Sequence, residues 1–167
     1  MTIDEAISIA EKQEAILRFP HFDRKDAWEL GQLMASRIVN ESIKLSASIQ
    51  LTSGLMVFQY MSEGTTANNV SWMTRKFNVV KDLELSSLLN TLRLKKRNQT
   101  LQDRFLDPAR YAASGGAFPI HVSGTGIIGA AVVSGLPHLG DHDFLVGCIS
   151  QFLKIKDVPR IPLNAEL

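Results

Sequence analysis

Within residues 114–143, SGGAFPIHVSGTGIIGAAVVSGLPHLGDHD, seven positions are glycine and two are proline. Glycine at this density, between apolar and β-branched residues, marks backbone that turns tightly or approaches other backbone closely. The layout is that of strand ends forming the rim of a pocket. No known catalytic constellation sits on the stretch, so it says where a site lies and much less about what the site does.

The chain has 167 residues, enough for one domain with a real core. It reads as a single domain over 1–167, with its core at about 19–155 and a tail at 156–167. The formal net charge of +1 calls for neither nucleic acid nor a membrane surface. The opening MTIDEAISIAEKQEA is broken by Asp4, Glu5, Glu11 and Lys12, which is unlike a signal peptide. The longest nearly apolar run, Gly126 to Leu136, falls far short of the roughly 18 residues of a spanning helix. One cysteine, Cys148, excludes an intrachain disulfide and fits a reducing compartment. The expected location is cytoplasmic.

Apolar spacing of three and four predicts a first helix over Ile3 to Leu17, ended by Phe19-Pro20. Asp23, with Asp26 three residues on, caps a second helix whose buried face is Ala27, Leu30, Met34 and Ile38. Lys44 to Leu51 alternates as a half-buried strand, and Leu55 to Met61 pairs with it through a Thr52-Ser53-Gly54 turn. Asn68 or Asn69 caps a long third helix running to about Leu94, with Met73, Phe77 and Val80 as its stripe. Ala117 to Val122 and Ile127 to Val133 form a second hairpin. Asp141 to Ile155 is the last helix, burying Leu145, Cys148, Ile149 and Phe152. Two hairpins among covering helices make an α/β (α+β) protein with an antiparallel sheet.

Gly124 to Gly129 spells GxGxxG, but AAVVS follows and prefers strand, so the motif is read as a hairpin turn rather than a dinucleotide site. Ser114-Gly115-Gly116 and Ser134-Gly135 supply hydroxyls and open N–H groups able to receive an anion, or simply permit turns. His138 and His142 are four apart, a spacing that serves a metal if both lie on one helix. Pro137 and Gly140 suggest that His138 precedes the helix. His142, near a helix N-terminus, should stay neutral, and Asp141 reads as a cap. His121 alternates with Ile120 and Val122. Arg93, Lys95, Lys96, Arg97 and Arg104 form a basic segment, read as a solvated helix end or as a site for propionate, phosphate or an acidic partner. Without interleaved aromatics it does not suit nucleic acid. Trp72 lies off the Met73/Phe77/Val80 stripe and can be core, pocket wall or subunit contact.

The segment YAASGGAFPIHVSGTGIIGAAVVSGLPHLGDHDFLV, with FDRKDAWELG and N-N-x-x-W-x-x-R-K-F-N-V-V, resembles the haem-degrading-domain family, the GlcG/HbpS-like proteins. It is most similar to an uncharacterised branch of that family, from about Phe19 to Phe152. The resemblance implies a profilin-like three-layer α/β/α fold with an antiparallel sheet of four to five strands. It also implies homo-oligomers and a haem or small acidic ligand. The matching positions are Trp72, Arg75, Lys76, Gly115, Gly116, Ser134, Gly135, Asp141 and His142. The branch usually has R-F-G-H-S-S and A-H-G-G where this chain has Leu85 and Ser114, so two histidines of the pattern are replaced.

Three functions follow. The first is a cytoplasmic, homo-oligomeric small-molecule-binding domain with its pocket at the Gly115/Gly135/Asp141 rim. The second is an interaction protein without catalysis. The third is an enzyme using His142, polarised by a carboxylate such as Asp141, as general base.

Overall fold

Thr2 accepts from the Glu5 amide while Glu5 accepts from the Thr2 amide, and this reciprocal cap opens α1, Ile3–Ile16. Asp23 and Asp26 cap α2, Arg24–Asn40, in the same way. β1 (Ser46–Leu51) and β2 (Met56–Met61) follow, then α3 (Ala67–Leu83) and α4 (Ser87–Lys96). A 3₁₀ turn at Gln102–Arg104 leads to β3 (Ala117–Val122), β4 (Gly126–Ser134) and α5 (His138–Leu153). The computed structural model describes residues 1–167.

The four strands form one sheet in the order β2-β1-β4-β3, antiparallel throughout. Because neighbouring side chains on a strand point to opposite faces, β4 sends Ala131 and Val133 one way and Ala130 and Val132 the other. The first pair joins Met34, Ile38, Phe118 and Leu145 in the main core beneath α2 and α5. The second pair meets Met73, Phe77 and Val80 of α3. Helices on both faces of an antiparallel sheet give the expected α/β/α layering. Phe19 lies along β3 through a bridge to Val122, whereas the outer edge of β2 is unpaired.

Five sequence expectations change. The long third helix is two helices, broken at Glu84, whose φ of 57° is left-handed. Ser86 caps α4 by accepting from the Leu89 amide, and its own amide donates to Glu14. Thr66, not Asn68 or Asn69, caps α3; Asn69 completes the capping box. β1 is buried on both faces along Ser46 to Ile49, because α3 covers the face of Ser46 and Ser48. α5 begins at His138, so both histidines lie on it. The residues after 155 also dock: Ile161 joins Ala6, Leu88 and Leu139 in a second core cluster, and the Pro159 carbonyl accepts from Gln13 Nε2.

Candidate functional site

α5 enters from Pro137, whose φ of −54° and ψ of 150° set the first turn. One turn later, Asp141 folds back so that Oδ1 accepts from the Leu136 amide at 2.9 Å. Its Oδ2 accepts from Lys76 Nζ of α3 at 2.7 Å, and Lys76 also donates to the Val133 carbonyl at 3.1 Å. Burial pulls the Lys76 ammonium down and pushes the Asp141 carboxyl up, each partly offset by the other's charge. The pair ties α3 to the start of α5 across the end of the sheet.

Gly116 makes that tie possible. Its φ is +122°, and a Cβ there would lie 2.7 Å from Lys76 Nζ and from the Val133 carbonyl. A Cβ on Gly115 would meet the His138 carbonyl. Gly135 packs on the Lys44–Leu45 backbone, and the Ser134 carbonyl accepts from Ser46 Oγ and Asn69 Nδ2. These glycines and Ser134 thus hold the strand ends against their neighbours.

His142 turns inward. It is 2% exposed, Nε2 is 2.8 Å from Gln13 Oε1, and the ring stands 5.7 Å from Phe118. Burial pushes its pKa down to about 4 and Nδ1 has no partner. Burial also lowers the pKa of His138, with Lys95 and Lys76 acting in the same direction. Its Nδ1 is likewise buried without a partner. Although the two rings share a helix, no three His, Cys, Asp or Glu side chains come together as a metal-binding group.

Trp72, 37% exposed, carries the Arg75 guanidinium 4.0 Å over its ring. Together with Lys95, Tyr111, Ser114 and His138 they line a cavity of about 390 Å³ between α3, α4 and the start of α5. No carboxylate lines it. Its bound of two fixed cations and a neutral imidazole suits an anion. Of the residues singled out in the sequence, the structure brings Trp72, Arg75, Ser114 and His138 to this cavity. Lys76, Asp141 and Gly116 lie behind it, and His142 is deeper still. Lys95, named in the basic segment as one reading's site for propionate or phosphate, also reaches the cavity; Thr91 and Tyr111 were not singled out in the sequence.

A second cavity, about 600 Å³, lies on the other face of α4 and is lined by Glu11, Glu14, Glu84, Arg18, Leu85 and His121, among others. Leu85 lines this larger cavity and Ser114 the smaller one, so the two departures from the expected pattern lie at different sites. α4 walls both: Leu89 and Arg93 face the larger one, Thr91 and Lys95 the smaller.

Residues 22–150 match the family model described as "Haem degrading protein HbpS-like". The chain belongs to the HbpS-like family. A UPF0303 protein of Serratia proteamaculans (strain 568) is 42% identical over 154 residues, covering 92% of this chain and 95% of that protein. A UPF0303 protein of Rhizobium rhizogenes (strain K84 / ATCC BAA-868) is 43% identical over 150 residues, 90% of this chain and 92% of the relative. Among solved structures, the Ybr137w protein superposes with a TM-score of 0.81 at 24% identity, covering 90% of each chain. HbpS gives 0.62 at 15% identity over 81% of this chain and 92% of its own. PduOC, solved as a heme complex, gives 0.64 at 14% identity over 77% and 93%. At these identities the structural likeness is one of fold. No helix of the HbpS-like chain is long and apolar enough to cross a membrane.

Proposed function

We propose that this HbpS-like protein binds a planar, carboxylate-bearing ligand of the haem class in the Trp72–Arg75–His138 cavity. One observation carries the reading: the cavity joins an exposed indole, two cations and an uncharged imidazole, with no carboxylate in its wall. The indole offers a stacking face, Arg75 and Lys95 offer partners for propionates, and a neutral His138 offers a nitrogen lone pair. The larger cavity suits such a ligand less, because Glu11, Glu14 and Glu84 would face its carboxylates. The family membership and the heme complex of PduOC support the same class. Lys76, Asp141, Gly115, Gly116, Ser134, Gly135 and His142 act behind the wall as positioning residues, and no step of catalysis is assigned to His142.

The test is a hemin titration followed at the Soret band. The wild-type protein should give a saturable shift near one haem per chain, His138→Ala should lose it, and His121→Ala should keep it. No shift beyond that of free hemin, or an unchanged His138→Ala, overturns the proposal.

The second reading, self-association, is favoured by one surface. Trp28 and Val39 of α2 are 56% and 58% exposed, and with Phe58 and Tyr60 of the unpaired edge strand β2 they line a groove of about 510 Å³. Strand β2 meeting its own copy would make an isologous antiparallel contact that continues the sheet and covers this face. Light scattering should find an oligomer that Trp28→Lys dissociates; a monomeric wild-type protein refutes this reading.

A further inference from the structure

The exposed basic segment borders a cavity. Arg93 of α4, Arg97 at its C-terminal cap and Arg104 of the following 3₁₀ turn border a third cavity, about 220 Å³, with Asn90 and leucines such as Leu94 and Leu106 in its wall. Arg93 pairs with Glu11 at 2.8 Å. Arg97 and Arg104 pair with no carboxylate in the chain. Asp103, beside Arg104, is committed to Thr100: Oδ2 accepts from the Thr100 amide at 2.7 Å and from Oγ1 at 2.8 Å. The basic side is therefore left in excess.

Asn90 is an independent observation. It is only 9% exposed, and its Nδ2 is buried without a hydrogen-bond partner. A buried amide donor with nothing to accept from it is costly, and each such group in a folded protein calls for an explanation. An oxyanion in this cavity neutralises the unpaired guanidinium groups, and a half-turn of the Asn90 amide brings its buried donor to that oxyanion. Guanidinium forks match carboxylate and phosphate oxygens in geometry and charge, and a side-chain amide adds a neutral donor beside them.

We propose that Asn90, Arg93, Arg97 and Arg104 form an oxyanion-binding site, separate from the Trp72–Arg75–His138 cavity, for a phosphate or carboxylate group. The leucines of the same wall accommodate an apolar chain attached to that group.

Isothermal titration calorimetry of the full chain at constant ionic strength, with inorganic phosphate and with hexyl phosphate, tests the site. Saturable binding of one anion per chain is expected. Arg97→Gln/Arg104→Gln should weaken it at least tenfold, whereas Lys25→Gln on α2, which lines none of the three cavities, should leave it unchanged. Asn90→Leu should weaken it severalfold. Tighter binding of hexyl phosphate identifies an amphiphilic ligand, and equal binding identifies a free anion; both support the oxyanion site. Absence of saturable binding by either probe, or equal affinity in the double arginine variant, overturns it. Arg97 and Arg104 are exposed, so their replacement leaves the core intact and the result interpretable. A failed hemin titration would not bear on this outcome, because the two probes report on different walls of α4.

Discussion

Lys76 Nζ and Asp141 Oδ2 meet at 2.7 Å with both side chains almost wholly buried. Sixty-five positions separate them in the chain, and they fasten α3 to the first turn of α5. Removing one partner leaves the other charged and without its counter-ion in a low-dielectric interior. Lys76→Met should therefore lower stability by about 3–5 kcal/mol. Lys76→Met combined with Asp141→Leu should recover part of that loss. Urea denaturation of the two variants measures the difference; equal loss in both would show that the charges are solvated.

His142 predicts a pH dependence. Its folded pKa is about 4 against an ordinary value of 6.5, so between those values the unfolded chain binds a proton that the folded chain does not. Stability is flat above pH 6.5 for this group and falls as pH drops towards 4. The full window corresponds to about 3 kcal/mol at ~1.4 kcal/mol per pH unit. His142→Gln should flatten that part of the profile. Denaturation midpoints at pH 7, 5.5 and 4.5 are the measurement.

Gly116 and Gly124 both have positive φ, +122° and +78°, but only Gly116 is crowded; a Cβ on Gly124 meets nothing within 4 Å. Gly124→Ala should cost about 1–2 kcal/mol, the conformational cost alone. Gly116→Ala adds a clash with the Lys76 ammonium and the Val133 carbonyl, and should cost at least ~1–3 kcal/mol more. Thermal midpoints of the two variants decide whether close approach or turn geometry dominates.

The two tryptophans, Trp28 and Trp72, lie on different surfaces. In a Trp28→Phe protein the remaining indole reports on the Arg75 cavity. Hemin should quench its fluorescence saturably, with the same midpoint as the Soret change. A Soret change without quenching would place the ligand away from Trp72.

The layers were legible because strand alternation and helical spacing are local. The turns at Thr52–Gly54 and Gly124 and the caps at Asp23 and Asp26 were legible for the same reason. The break between α3 and α4 was not. No glycine or proline marks it; Glu84 takes a left-handed conformation, and the freed Ser86 amide is satisfied by Glu14, 72 positions away. The Ser86 cap was the one local sign. His142 was readable as neutral, but its partner Gln13 lies 129 positions away, and no spacing rule reaches that far. The helix start was misplaced because Pro137 reads as a stop, whereas here it is the residue from which α5 begins.

α4 is only ten residues long, yet its faces wall three cavities: Leu89 in one, Thr91 and Lys95 in another, Asn90 and Leu94 in the third. A partition shared by three rooms cannot be moved for one of them alone. Any tilt of this short helix that widens one cavity redraws the other two. A guest that binds by such a tilt changes the affinity of its neighbours, and each neighbour returns the same factor.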